Sequence, residues 1–246
     1  MIIGSRIHFL RQTVSTMDEC RSLAHTGSIE GTVVSANFQC AGRGRFQRIW
    51  LSPSGENIQA SILVRPKITE LPYLNMAAAL AASNAATEIT GLHSAIKWPN
   101  DVELAGKKLC GILIESEISG AGVDFAIIGI GLNVNLEPER HKEIKNSASS
   151  LKQFCGRYVS RSQTFHVLLK HLNHYYERIK AGESLTSEWA SKLNVLGCDI
   201  QISFPGTNKP SINCRADSLN EDGSLSVRVD DGSMFTATAG EVTLRS

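Results

Sequence analysis

The chain has 246 residues, of which 25 are lysine or arginine and 24 aspartate or glutamate, giving a formal net charge of +1. This length supports a hydrophobic core without disulfide or metal staples, and at roughly 150 residues per domain it predicts one large domain, or a large one with a small one. The near-neutral balance excludes a global electrostatic pull toward nucleic acid or an anionic membrane. No apolar run approaches the roughly 18 residues that span a bilayer, and the opening MIIGSRIHFLRQ is broken by Gly4, Ser5 and Arg6 and has no signal-peptide pattern. The six cysteines, at positions 20, 40, 110, 155, 198 and 214, form no CxxC pair. They read as small apolar residues, not as a zinc or redox motif. A soluble, cytoplasmic protein is expected.

In chain order, Ser15 or Thr16 caps a helix over 17–25, with Asp18 and Glu19 in its favourable first turn. Residues 31–38 and 57–66 are β-branched or alternating and read as strands. An alanine-rich helix follows over 72–89. Residues 109–118 and 123–135 form a hairpin about the glycines of Ser-Gly-Ala-Gly, and 137–160 is a polar loop. The spacing of Phe165, Leu168, Leu169, Leu172, Tyr175, Tyr176 and Ile179 predicts an amphipathic helix over 162–181. A shorter helix follows at 185–193. His166, His171 and His174 on the long helix lack the third ligand of a metal site and read as helix-surface histidines. Beyond Leu196, short strands alternate with the turn residues Asn220–Gly223 and Asp230–Gly232. By strand count and spacing this is a small β-barrel of SH3-like size. The fold class expected is α+β: a mixed central sheet with helices on one side over 1–194, then an SH3-like β-domain over 195–246.

Two segments carry chemistry. Gln39 to Trp50 follows a strand and places Gly42 and Gly44 among Arg43, Arg45 and Arg48, ahead of a tryptophan. Glycines let a backbone approach a ligand, guanidinium groups bind phosphate or carboxylate in two-pronged fashion, and an indole stacks on a flat ring. The plain alternative is a solvated basic turn beside a core tryptophan. In the second segment, Trp98-Pro99 makes a stiff turn that presents Lys97, Asn100 and Asp101, and Lys108 opens a strand soon after. The plain alternative there is a hairpin with exposed charges. Neither segment alone names a reaction.

Together, Gln39–Arg45, Lys97–Asp101, Lys108–Leu113 and Gly129–Asn133 stand in the motif order of the biotin–protein ligases, which the chain resembles from about residue 8 onward, including Gly240-Glu241-Val242. The resemblance implies a catalytic domain like those of class II aminoacyl-tRNA synthetases. It also implies a two-step reaction: biotin and ATP, with Mg²⁺ carried by the nucleotide, give biotinyl-5′-adenylate, and a lysine of a biotin carboxyl carrier domain then takes the biotinyl group. It assigns biotin binding to Ser15, Thr16, Met17, Gln39, Gly42, Arg43, Gly44, Arg45, Lys108 and Gly111. ATP binding falls to Arg43, Arg45, Trp50, Lys97, Asn100, Asp101 and Asn133. Lys108, Arg43, Arg45 and Asp101 carry the catalytic roles, and no resident metal site is implied. Gly111, Gly129 and Gly131 are expected to let strands approach the ligand closely.

The sequence departs from the family pattern at two places: Gln47 stands where a glycine is common, and Met17 where an asparagine is common. The little sequence before Ser15 predicts no DNA-reading module, and a homodimer through an edge strand stays open. Two other readings are a lipoate–protein ligase, disfavoured by the Gly-Arg-Gly-Arg and Lys-Trp-Pro-Asn-Asp segments, and an idle biotin- or nucleotide-binding module, disfavoured by the intact Arg43, Arg45 and Lys108.

Overall fold

The computed structural model describes residues 1–120 and 122–245. Its main sheet comprises β1 (Arg6–Leu10), β2 (Thr32–Ala36), β3 (Ile58–Val64), β4 (Ala95–Lys97), β5 (Asp101–Leu104), β6 (Lys107–Ser119) and β7 (Gly122–Leu132), in the order β1-β2-β3-β7-β6-β5-β4. β1 runs parallel to β2 and the other pairs are antiparallel, so the sheet is mixed.

The helices are α1 (Thr16–His25), α2 (Leu71–Thr90), α3 (Leu151–Cys155), α4 (Arg161–Lys180) and α5 (Thr186–Lys192). They do not all lie on one side, as the sequence led us to expect. Strand residues alternate between faces. Val33, Ile62 and Ile128 join the large apolar cluster that includes α2 and α4, whereas Val34, Leu63 and Ile127 pack with Met17, Cys20 and Ala24 of α1. Thus α1 covers the opposite face. Burial at that contact pushes the Cys20 thiol up to about 12; all six cysteines are free thiols.

Ala77 to Ala82 let α2 lie close against sheet and α4, with Pro72 in its first turn and Gly91 in the left-handed conformation that ends it. The α4 helix is capped by Ser160, whose Oγ accepts from the Gln163 N–H. His171 Nε2 lies 2.8 Å from Glu88 Oε2 across the α2–α4 contact.

A second, antiparallel sheet comprises β8 (Asp199–Ser203), β9 (Ile212–Leu219), β10 (Leu225–Val229), β11 (Met234–Ala237) and β12 (Glu241–Leu244), ordered β11-β10-β9-β8-β12. Its ladder ends at β11 and β12, so it is an open sheet where a closed barrel was expected. Ile200, Cys214 and Val227 share one apolar cluster with Met76 and Trp98, and Trp98 Nε1 donates to Gly223 O at 2.9 Å. The second sheet is therefore packed directly beneath the Lys-Trp-Pro-Asn-Asp turn. No helix among the described residues is long and apolar enough to cross a membrane.

Candidate active site

The α1 face of the main sheet opens into a cavity of about 610 Å³. Register explains its floor. Gln59 pairs with Gly131, Gly131 with Gly111, Gly111 with Asp101, and Asp101 with Lys97, so these five residues form one row across β3, β7, β6, β5 and β4. The adjoining row is Ser61, Gly129 and Leu113.

The glycines of these rows, which line the cavity, make room for side chains of the protein itself. A Cβ on Gly131 would lie 2.4 Å from Trp50 Cε2, one on Gly111 2.9 Å from Trp50 Cζ3, and one on Gly129 2.7 Å from Met17 Sδ. Trp50 and Met17 are thus laid onto the sheet as part of the floor.

At one end of the cavity the polar groups are neutral. Gln39 Oε1 accepts from the Thr16 backbone N–H at 2.7 Å and from Thr16 Oγ1 at 3.0 Å, while Ser61 Oγ donates to Thr16 Oγ1 at 2.8 Å. Ser15 occupies the N-cap position of α1, yet its hydroxyl does not cap the helix as the sequence suggested. It accepts from Arg43 Nη1 at 3.0 Å instead.

The other end is cationic. Lys108 Nζ is 2.7 Å from Asp101 Oδ2, and Asp101 Oδ1 is buried with no partner. A β-bulge puts Lys108 there. In an unbroken strand, residues 108 and 110 share a face, and Cys110 is in the core. The register slips so that Val102 pairs with Cys110 but Glu103 with Lys108. The slip turns Lys108 to the Gly111 side, where its Cε would sit 3.2 Å from a Cβ on Gly111. Backbone bonds to Ser147 O and from Ser149 N, both 2.8 Å, hold the bulge. Lys97 Nζ lies 3.8 Å from Glu103 Oε1, and burial, reinforced by the charge of Asp101, pushes the Glu103 carboxyl up.

The two arginines of the loop differ. Arg43 is held by Asp18, with Nη2 to Oδ1 at 2.7 Å, and by Glu115 at 3.3 Å, and these partners raise its pKa. Arg45 is desolvated, which lowers its pKa, and its Nη1 donates to neutral oxygens, Asn100 Oδ1 and Gly240 O, each at 3.1 Å. Arg45 is therefore the better prepared of the two to receive an anion. Asn100 is occupied at both amide atoms, since its Nδ2 donates to Ile112 O at 2.7 Å. It positions Arg45 against β6.

The loop closes on itself through Trp50 N–H to Gly42 O at 2.9 Å and Gly44 N–H to Arg48 O at 2.8 Å. Its tip holds Phe46 and Gln47 at φ 55° and 59°, the left-handed region that costs an L-residue about 1–2 kcal/mol. Gln47→Gly is expected to relieve this and raise Tm by up to about 2–4 °C. A lower Tm in thermal unfolding would count against strain at the tip.

Of the residues singled out from sequence, Ser15, Thr16, Met17, Gln39, Arg43, Gly44, Arg45, Trp50, Lys97, Asn100, Asp101, Lys108, Gly111 and Asn133 all line this cavity. Gly42 does not; its carbonyl accepts the Trp50 N–H at the base of the loop. Asn133 is buried, and its Oδ1 lies 3.3 Å from Asn57 Nδ2. Sequence reasoning missed Asp18 and Glu115 as partners of Arg43, and Gln59 and Ser61 on the floor. Two polar residues two apart inside an apolar strand were the available signal for the last pair.

The sequence profile of the Biotin/lipoate A/B protein ligase family matches residues 9–133. The chain is 38% identical over 172 residues to the bifunctional ligase/repressor BirA of Bacillus subtilis, covering 68% of this chain and 53% of that one. It is 30% identical over 211 residues to the biotin--[acetyl-CoA-carboxylase] ligase of Mycobacterium tuberculosis, 82% of this chain and 76% of that one. The chain thus spans about half the length of the Bacillus relative. The fold superposes on the biotin protein ligase of Aquifex aeolicus in complex with biotin and ATP with a TM-score of 0.80 at 29% identity, covering 98% and 99% of the two chains. This chain belongs to the Biotin/lipoate A/B protein ligase family.

Proposed function

We propose that the protein is a biotin–protein ligase acting in the cytoplasm. The biotin carboxylate attacks the α-phosphate of ATP, giving biotinyl-5′-adenylate and pyrophosphate. A lysine amine of a biotin carboxyl carrier domain then attacks the acyl carbon, forming an amide and releasing AMP. The observation that carries this reading is the polarity of a single cavity: a neutral donor–acceptor cluster at Thr16, Gln39 and Ser61, and a cationic end at Lys108 and Arg45. A molecule with a neutral ureido head and a carboxylate tail is complementary to both ends.

The chemical difficulty is the meeting of two anions, which repel by about 4 kcal/mol at 4 Å and an effective dielectric near 20. Lys108 and Arg45, already desolvated or fixed by hydrogen bonds, are aimed at that region and stabilise the charge that develops there. Mg²⁺ carried by ATP would neutralise phosphate charge, and Asp101 Oδ1, buried without a partner, would be an oxygen donor for it. Residues 1–194 would form the catalytic domain. Residues 195–246, of SH3-like size, would form a second domain that reaches the loop through Gly240 and Glu241.

Biotin-dependent exchange of pyrophosphate into ATP tests the first step, with lipoate as the competing acid. Exchange with lipoate but not biotin would overturn the proposal in favour of a lipoate ligase, and exchange with neither would leave a binding module. Arg45→Gln is expected to weaken retention of the adenylate about tenfold more than Arg43→Gln, because Arg43 is already compensated by Asp18 and Glu115. Equal losses in adenylate off-rate would contradict that ranking.

A further inference from the structure

One polar side chain in the cavity floor meets no partner. Gln59 lies on β3 in the same row as Gly131 and Gly111, two residues from Ser61 and on the same face. It is 1 % exposed, it lines the cavity, and neither Oε1 nor Nε2 has a hydrogen-bond partner. Beside it, over Gly131, the Trp50 Nε1–H is also buried and unpartnered. Buried amides are rarely left in this state, because each unmet donor or acceptor keeps its full desolvation penalty. Leucine or methionine would fit an apolar strand without that cost.

We propose that Gln59 is a specificity-determining contact of the ligand pocket, whose carboxamide pairs with the neutral donor–acceptor edge of a ureido group. The inference rests on the biotin ligase reading and deepens it. Chemistry narrows the partner to a group that sets a donor beside an acceptor, as adenine also does, and the place next to the Thr16–Gln39–Ser61 cluster selects the ureido head. A carboxylate or phosphate offers only acceptors and would leave Oε1 unpaired, and a dithiolane ring offers neither donor nor acceptor. A ureido group presents an N–H beside a C=O and satisfies both amide atoms at once. It would do so one sheet row away from the Thr16–Gln39–Ser61 cluster, within the reach of one small bicyclic head. Sites built to hydrogen-bond a polar group reject analogues lacking it far more strongly than apolar pockets discriminate by size. Gln59 thereby adds, beside the Thr16–Gln39–Ser61 cluster, a contact that sets a ureido-headed acid apart from an apolar-headed one.

The test is calorimetric titration of biotin and of lipoate into the wild-type protein, Gln59→Leu and Gln59→Met, with thermal unfolding of each ligand-free protein. Both variants are expected to melt at or above the wild-type Tm, since they remove unpaired polar atoms from a buried site. Their biotin Kd is expected to rise at least tenfold while the lipoate Kd stays level or falls. Unchanged biotin affinity in both variants, or equal weakening toward both acids, overturns the assignment. A fall in Tm of both variants with biotin affinity retained does so too, by making Gln59 structural. If the wild-type protein itself does not bind biotin, the ligase reading fails, and this one with it.

Discussion

Lys108→Ala is expected to lower biotin-dependent pyrophosphate exchange by about 10²–10³-fold, the usual loss when one preorganised donor to a developing anion is removed. The expectation follows from where the bulge puts the ammonium: 2.7 Å from Asp101 Oδ2, beside Gly111, at the cationic end of the cavity. The ureido head is held at the neutral end and Arg45 remains for the carboxylate, so biotin Kd should rise by the loss of one contact only, less than kcat falls. Asp101, left without its cation, is expected to add a stability loss that Lys108→Arg avoids. A parallel fall in biotin affinity and exchange would mean that Lys108 serves binding in general and not the reacting phosphate.

Gly131→Ala is expected to be nearly as damaging by a wholly steric route. The residue is paired on both sides, to Gln59 on β3 and to Gly111 on β6, so its backbone cannot withdraw. The new methyl would fall 2.4 Å from Trp50 Cε2 and 2.7 Å from its Nε1, and the indole must leave the floor. Affinity for biotin and ATP should fall more than tenfold, with a red shift of tryptophan emission, at a stability cost of about 1–3 kcal/mol. Adding Trp50→Ala to Gly131→Ala should cause little further loss, because both changes remove the same surface. Gly129→Ala should be milder, since the atom in its way is the flexible thioether of Met17. Full affinity and an unshifted spectrum in Gly131→Ala would show that Trp50 has no fixed place in the floor.

Long periodic segments were legible in the sequence. α4, α2, β3 and the β6–β7 hairpin agree with the spacing of their apolar residues, because each buries a continuous face. Some short elements whose stability comes from neighbours were not. β1 is an edge strand behind the Gly4-Ser5-Arg6 break, β4 and β5 have three and four residues, and α3 is a single turn held by Ser150 and Gln153 within a polar stretch. β12 also went unseen, since its four residues acquire a ladder only through β8. The side on which α1 lies could not be read either, because Met17, Cys20 and Ala24 are ordinary core residues whichever face they meet.

The site was legible as a set of residue types and opaque as geometry. The arginines, lysines and Trp50 announced themselves by spacing. That Arg43 is already neutralised by Asp18 and Glu115 depends on α1 and β6 meeting across the loop. That Lys108 faces the cavity depends on a register slip that strict alternation would deny.

Activation of biotin in this cavity and its transfer to a carrier lysine are read out together in the intact mass of an apo biotin carboxyl carrier domain. The domain is incubated with this protein, ATP, Mg²⁺ and biotin. The expected result is a gain of one biotinyl group, lost when ATP is omitted and absent when lipoate replaces biotin. An unmodified carrier with active adenylate formation, or a gain of a lipoyl group in place of a biotinyl one, would contradict it.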